Sequence, residues 1–297
     1  MDHVVVVPAY NEAGFIGVLL DSLVSQSRQP DCIIVVSDSS TDQTEQIVLE
    51  YAQKYENVRL LRGGPGQGRA YREIEVFREG HSSVIAYQPK YISKIDADMF
   101  LPTNYFEILL QHMDSDKNIA VGSGVFDEII NGARVRYRLR DGHVPGALKT
   151  YREAVLREIG GLYVVPGWDI LDLAAIRRKG YRSITIPDLV ALHRRRHASA
   201  VGIIAGNIRM GDGAYRIGTH PLFMIGRAVY RMLEPPYVFG GAALWWGYVR
   251  AWLTQQERIQ DDDLVRRLRR DQVYRLLHSN RSPTRLIEGD HREPGQT

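Results

Sequence analysis

The sequence predicts an α/β protein built on a Rossmann-like, doubly wound and mostly parallel sheet, with a helical, aromatic-rich C-terminal extension. Three observations carry that prediction. The runs Val4–Val7 and Ile33–Val36 are short, apolar and rich in β-branched residues, the composition of strands buried on both faces of a parallel sheet. Between them Ile16, Leu19, Leu20 and Leu23 recur at helical spacing, so strand and helix alternate as in β-α-β units. Finally, Pro8–Glu12, Asp38, Asp96 and Asp98 all stand just after strand runs, at the carboxyl edge where open α/β sheets place ligands.

The elements follow in order. Val4–Val7 is the first strand, ended by the turn residues Pro8, Ala9, Tyr10, Asn11 and Glu12. Ile33–Val36 closes the first β-α-β unit and delivers the polar loop Asp38–Thr44, with Thr41 or Asp42 as the N-cap of the next helix. Val58–Leu61 reads as a third strand, followed by the glycine-rich loop Gly63–Ala70 and an amphipathic helix to about Gly80. Tyr91–Ile95 is the fourth strand and carries Asp96-Ala97-Asp98. Beyond it, Tyr105–Met113 reads as a helix and Ile119–Phe126 as a strand. Arg134–Arg140 reads as an edge strand or a solvated hairpin. A helix is expected within Gly146–Ile159, ended by Gly160-Gly161,. A second helix ends at Lys179-Gly180, a strand follows at Ser183–Ile186, and a further apolar run, Leu189–Leu192, ends at His193.

Composition narrows the class. The 297 residues suit one α/β domain with an appendage, or two small domains,. A hydrophobic fraction of 44% and a charged fraction of 25% are those of an ordinary globular protein,. The net charge of +3 gives no electrostatic footprint for nucleic acid,. The single cysteine, Cys32, excludes an internal disulfide and a cysteine-rich metal site,; beside Ile33–Val36 it reads as buried filler. No basic region with a long apolar core precedes the first strand, and no apolar run reaches the roughly 18 residues of a membrane span. A cytoplasmic protein is the expectation.

Asp96 and Asp98 are the chemical focus. In an extended backbone residues i and i+2 point to the same side, and two carboxylates held that close repel unless a cation or donors compensate them. A hard divalent ion is the natural partner; a solvated loop with two acids is the alternative. His193, at the end of its apolar run, reads either as a structural histidine or as a metal ligand. Arg194-Arg195-Arg196 reads as a solvated basic loop or as an anion contact.

Taken together, these motifs resemble those of the family 2 glycosyltransferases, enzymes of the GT-A fold that use nucleotide sugars. Val5–Glu12 is similar to the family's opening strand and turn, and Asp38-Ser39-Ser40-Thr41-Asp42-Gln43-Thr44 to its second motif. Asp96-Ala97-Asp98 matches the metal motif. Gly167-Trp168-Asp169, ahead of a helix ending at Lys179-Gly180, sits where the family carries its catalytic acid. The likeness covers about residues 3–200. It implies that Pro8, Ala9, Tyr10, Asn11, Glu12 and Asp38 line the base and ribose pocket, with Asp96, Ala97 and Trp168 also at the nucleotide sugar. It implies that Asp98, joined by His193, binds Mn²⁺ or Mg²⁺, and that Asp169 is the general base. On the residues alone, Asp169 reads first as a helix cap, with Asp172 as the other candidate for a first-turn acid. Arg69, in the glycine-rich loop whose Gly66 and Gly68 permit close backbone approach, reads as a further contact to the donor phosphates,. Two features depart from the family pattern: Trp168-Asp169 stands where Glu-Asp is frequent, and the Gln-x-x-Arg-Trp signature of polymer synthases is absent, which favours single addition.

The resemblance implies a domain over 1–200, with a nucleotide-sugar half to about 100 and an acceptor half beyond it. A helical extension over 201–280 and a disordered tail over 281–297 follow. One displacement with one base predicts inversion at the anomeric carbon, with a UDP-sugar as the default donor and a glycan or lipid-linked species as acceptor. The Trp, Tyr and Arg residues of Phe239–Leu253 fit an interfacial helix at a membrane surface, or a core or homodimer helix. The rival readings are a sugar-phosphate nucleotidyltransferase, which would release pyrophosphate; a glycosidase, which needs neither nucleotide nor metal; and a catalytically inactive nucleotide-sugar-binding module.

Overall fold

A computed structural model describes residues 1–64, 72–130, 133–136, 143–194, 202–278 and 287–288. The first half runs β1 (His3–Ala9), α1 (Ile16–Val24), β2 (Cys32–Ser37), α2 (Thr44–Lys54), β3 (Val58–Arg62), α3 (Arg72–Val84), β4 (Tyr91–Ile95) and β5 (Met99–Phe100). Then come α4 (Tyr105–Ser115), β6 (Ile119–Ile130), β7 (Ala133–Arg136), β8 (Leu148–Arg152), α5 (Glu153–Glu158), α6 (Trp168–Arg178) and β9 (Arg182–His193). Four helices follow, α7 (Ile203–Arg216), α8 (Pro221–Arg231), α9 (Phe239–Leu253) and α10 (Asp262–His278), and the short β10 (Ile287–Glu288).

The sheet runs β10-β7-β6-β8-β4-β1-β2-β3. Strands β1 to β4 are mutually parallel where they pair, while β8 runs antiparallel to both β4 and β6. Side chains alternate across it as a pleated strand demands. Val4 and Val6 join Ile34, Ile74, Phe77 and Trp168 on one face; Val5 and Val7 join Ile16, Leu19 and Leu20 on the other. Both faces are apolar, which is why β1 and β2 read as unbroken hydrophobic runs. Helix α3 lies so close to the sheet that a Cβ on Gly80 would stand 2.5 Å from Val6 Cγ1.

Two pairings of β9 matter for the site. It runs parallel to β6, setting His193 opposite Glu128, and antiparallel to β5, setting His193 opposite Met99. The Arg194 N–H then donates to the Asp98 carbonyl at 2.9 Å.

The structure departs from sequence expectation in four places. Residues 148–152 form a strand, and only Glu153–Glu158 is helical. The expected strand Ser183–Ile186 and the apolar run Leu189–Leu192 belong to one strand, β9, with a register irregularity where it crosses Pro187. Helix α2 begins at Thr44 with Gln43 in the cap position, and Asp42 Oδ1 accepts from the Thr44 N–H at 3.0 Å. Asp96–Asp98 is a tight turn and not extended backbone, closed by the Met99 N–H on the Asp96 carbonyl at 3.2 Å.

Helices α7 to α9 have a small core of their own, Ala214, Tyr215, Met224, Leu244, Tyr248 and Ala251. The α7–α9 crossing needs glycine: a Cβ on Gly247 would lie 2.0 Å from the Ile208 carbonyl oxygen,. Helix α10 joins the main core through Leu264 and Leu268. Among the described residues no helix is long and apolar enough to cross a membrane. Residues 279–286 and 289–297, the greater part of the expected tail, lie outside the described residues.

Candidate active site

The loops that leave β1 and β2 are bound to each other. Asn11, in the left-handed region at φ 53°, accepts through Oδ1 from the Thr41 N–H at 2.8 Å, and its own N–H donates to Ser40 Oγ at 3.1 Å. The Glu12 N–H donates to Thr44 Oγ1 at 2.7 Å, and the Ala13 N–H to Asp42 Oδ2 at 3.0 Å. Pro8 and Ala9 end β1, and the Asp38 N–H donates to the Ala9 carbonyl at 2.8 Å. Tyr10 stands 58% exposed at the rim. Asn and Asp suit this place because their short side chains bond neighbouring backbone.

Asp38 is engaged by a residue that sequence reasoning missed. Arg72 Nε donates to Asp38 Oδ1 at 2.9 Å, while its other nitrogens reach Glu75, Glu79 and the Gly64 carbonyl. These carboxylates push the guanidinium above its ordinary range, although burial acts against them. Arg69 lies outside the described residues, as do Arg195 and Arg196.

At the end of β4 the acids part company. Asp96 pairs with Lys94, whose ammonium also donates to the Gly146 carbonyl at 3.2 Å and lies 5.2 Å from the Trp168 ring centre. Lys94 is almost wholly buried. Burial alone pulls its ammonium down, but Asp96, Glu73 and Asp169 together lift it above the ordinary lysine range. Ala97 is buried in the turn between the two acids.

Asp98 faces His193, with Oδ1 3.2 Å from Nε2; the other ring nitrogen lies 3.4 Å from Glu128 Oε1. Burial lowers the affinity of this imidazole for a proton, yet hydrogen bonds to Asp98 and Glu128 override it and raise the pKa to about 9. Once a cation displaces that proton, the pair would supply one hard carboxylate oxygen and one imidazole nitrogen, a donor set suited to Mn²⁺ and acceptable to Mg²⁺. Among the described residues no three His, Cys, Asp or Glu side chains are arranged to hold a metal. A cation on Asp98 and His193 would therefore fill its remaining positions from a bound ligand and water.

Helix α6 opens directly at the site. Gly167, at φ 77°, precedes it, and Trp168 and Asp169 form its first turn. Asp169 is thus a first-turn acid and not the cap. The Trp168 indole N–H donates to Glu73 Oε1 at 3.1 Å, and the ring lies within about 5 Å of two ammonium groups, Lys94 and Lys149, the spacing of cation–π contacts. Lys149 Nζ donates to the Asp169 carbonyl at 2.9 Å and to both oxygens of Asp172. Asp172 also accepts from the Tyr151 hydroxyl at 2.5 Å. Gly146 closes the cleft: a Cβ there would stand 3.0 Å from Trp168 Cζ2 and 3.6 Å from the Asp169 Cβ. The arrangement gathers a turn of acids, an imidazole and a helix-borne carboxylate at the carboxyl edge of the sheet.

Comparison with known proteins decides the family. The model of glycosyl transferase family 2 matches residues 4–168, from β1 to the first residue of α6. The chain belongs to glycosyl transferase family 2.

Among curated relatives, the Staphylococcus aureus poly(ribitol-phosphate) beta-N-acetylglucosaminyltransferase TarS is 31% identical over 173 residues, 53% of this chain and 29% of TarS. The Escherichia coli glycosyltransferase YibD is 30% identical over 117 residues, 39% of this chain and 32% of YibD. This family 2 chain therefore matches less than a third of the length of either relative. In fold it resembles the mannosyltransferase PcManGT from Pyrobaculum calidifontis, solved with GDP-Man and Mn²⁺, at a TM-score of 0.56 and 18% identity. That likeness covers 93% of this chain and 81% of PcManGT. TarS solved with UDP gives a TM-score of 0.52 at 20% identity, over 71% of this chain and 64% of that one. The curled, mostly parallel sheet with flanking helices is the GT-A fold.

Proposed function

We propose that this family 2 chain is an inverting, divalent-cation-dependent glycosyltransferase that moves a sugar from a nucleoside-diphosphate sugar to an acceptor hydroxyl. The observation that carries the proposal is that the buried Lys94 ammonium at the end of β4 pairs with Asp96, two residues before the Asp98 that pairs with His193, and feels the charge of Asp169 on the first turn of α6. In this reading the paired loops Pro8–Glu12 and Asp38–Thr44 hold the nucleoside, with Asp38 at the ribose. Asp96, Ala97, Trp168 and Arg69 complete the donor site, and Asp98 and His193 hold the cation.

The bound cation would supply Lewis-acid stabilisation of the charge that the leaving diphosphate gains. The chain's own groups do the rest. Asp169 takes the proton from the acceptor hydroxyl as that oxygen attacks the anomeric carbon. Because one displacement suffices and no protein nucleophile is engaged, the configuration inverts. Lys149 holds the Asp169 carbonyl, and Trp168, wedged between two ammonium groups and Glu73, shields the reacting centre from water,.

The donor is a UDP-sugar in the first instance, since solved TarS structures hold UDP and UDP-GlcNAc; GDP-mannose, held by PcManGT, is the second candidate. The acceptor is a glycan or lipid-linked polymer precursor, a class supported by the poly(ribitol-phosphate) named for TarS. The test is to incubate the protein and Mn²⁺ with UDP-GlcNAc, UDP-glucose and GDP-mannose and to follow nucleoside diphosphate release. Release of one diphosphate, with a transferred sugar of inverted anomeric configuration, supports the proposal. Release of pyrophosphate would instead identify a nucleotidyltransferase.

A further inference from the structure

Fourteen of the twenty-two large apolar side chains exposed among the described residues lie between Ile203 and Leu253. They are ordered. On α8, Leu222, Ile225 and Val229, continued by Leu233, recur at helical spacing and are between 43% and 70% exposed, while Met224 and Ala228 on the opposite side are buried. An apolar stripe facing outward is the reverse of what a globular helix needs. The stripe runs into Tyr237, Val238 and Phe239, each exposed over more than half of its surface. From there an apolar groove of about 590 Å³ opens between α7 and α9, lined by Ile204, Ile208, Pro236, Phe239, Ala242 and Trp246 among others. Contiguous apolar surface of this kind marks an interaction site.

Charge indicates the occupant. Residues 203–253 carry five arginines, Arg209, Arg216, Arg227, Arg231 and Arg250, against two acids. Both acids are already matched: Asp212 accepts from Arg216 Nε at 2.6 Å, and Glu234 lies 3.5 Å from Arg231. A second copy docked on this face would set positive against positive, because a two-fold interface pairs a patch with itself. An anionic lipid surface meets both features, accepting apolar side chains below its headgroups and arginines among them. Trp246, Trp252, Tyr230 and Tyr237 are the aromatic types that settle at that boundary.

We propose that the face formed by α8, the 233–239 turn and the α7–α9 groove is a docking surface for an anionic lipid bilayer. The face is coupled to the active site. Helix α7 packs on the segment leading into α6, with Gly213 against Pro166 and Ile217 against Gly167. Docking therefore brings the Asp169 turn to a fixed reach from the bilayer. That consequence for a lipid-linked acceptor rests on the proposed transferase reading; the docking does not.

The test is flotation of the full chain with vesicles of phosphatidylglycerol and phosphatidylcholine, compared with phosphatidylcholine alone. Binding to the anionic vesicles is expected, weakened by salt, and about tenfold or more weaker on neutral vesicles. The double variant Leu222→Glu/Val229→Glu should lose binding, with its circular dichroism spectrum and nucleoside diphosphate titration unchanged because both positions are solvent-exposed. Arg209→Glu/Arg250→Glu should reduce binding to anionic vesicles alone. Absence of flotation on anionic vesicles, or flotation that both variants leave intact, would overturn the proposal. A dimer in sedimentation velocity that Leu222→Glu/Val229→Glu disperses would overturn it too, assigning the face to a second copy. Failure of the donor titration in wild-type protein would count against the transferase reading and leave the docking result standing.

Discussion

Lys149 on β8 and Asp172 on α6 form a fully buried ion pair, with Nζ 2.7 Å and 2.8 Å from the two carboxylate oxygens. Burial pushes the Asp172 carboxyl up, against the opposing pull of Lys149 and the Tyr151 hydroxyl. The same ammonium donates to the Asp169 carbonyl, so the pair ties the first turn of α6 to the sheet. Removing one partner leaves a buried charge uncompensated. Lys149→Met should cost about 3–5 kcal/mol of stability in chemical denaturation. The double variant Lys149→Met/Asp172→Leu should recover most of it, while transferase turnover stays depressed because the Asp169 tether is gone. Full recovery of turnover in the double variant would show that the tether is dispensable.

Asp169→Asn removes the proposed proton acceptor and preserves shape. Turnover should fall on the order of 10²–10⁴-fold, the usual contribution of a general base, with donor binding within a few-fold of wild type. Steady-state kinetics and a donor titration on the same preparation separate the two effects. Near-normal turnover would remove Asp169 from the mechanism.

Stability should depend on pH through His3. The imidazole is buried against Phe106, with ring centres 4.4 Å apart, and Nε2 lies 2.8 Å from Ser93 Oγ. Burial, helped by Arg28, lowers its pKa from 6.5 to about 3. The unfolded chain thus binds a proton that the folded chain refuses between those values, so stability is complete above pH 6.5 and declines as pH falls toward 3,. His3→Gln should flatten that part of the unfolding-midpoint profile, by up to ~1.4 kcal/mol for each pH unit. An unchanged slope would show that other groups set it.

Gly80→Ala tests the packing of α3 on the sheet. The new methyl would meet Val6 and Val36 side chains at 2.5 Å and 2.9 Å. Overpacking of this kind should cost about 1–3 kcal/mol, more than offsetting the gain in helix propensity. A thermal melt no lower than wild type would mean that α3 can lift from β1 without loss.

Much of this fold was legible because β1 and β2 are buried on both faces, which makes them unbroken apolar runs. Strand β8 was not, for the opposite reason. Its buried polar residues Lys149 and Thr150 serve the ion pair and a hydrogen bond with Ser93, and a strand of that composition gives no alternating or apolar signal. Pro187 at the irregularity of β9 divided one strand into an apparent short strand and a separate apolar run, a place where proline is tolerated. At the candidate site, the residues after each strand were visible from position alone. The partners were not: Arg72 meets Asp38, and Glu128 meets His193, only through the β6–β9 register and the docking of α3. The meeting of Asp98 with His193, 95 positions further along the chain, is likewise a product of the β5–β9 pairing.

The most direct measurement of the central claim is a calorimetric titration of the protein with UDP and with GDP, each with and without Mn²⁺. One diphosphate should bind with Mn²⁺ present and at least about tenfold more weakly without it, and Asp98→Ala should abolish the difference. Binding of neither diphosphate under any condition, or binding indifferent to both Mn²⁺ and Asp98, would contradict a cation-dependent nucleotide-sugar site at the end of β4.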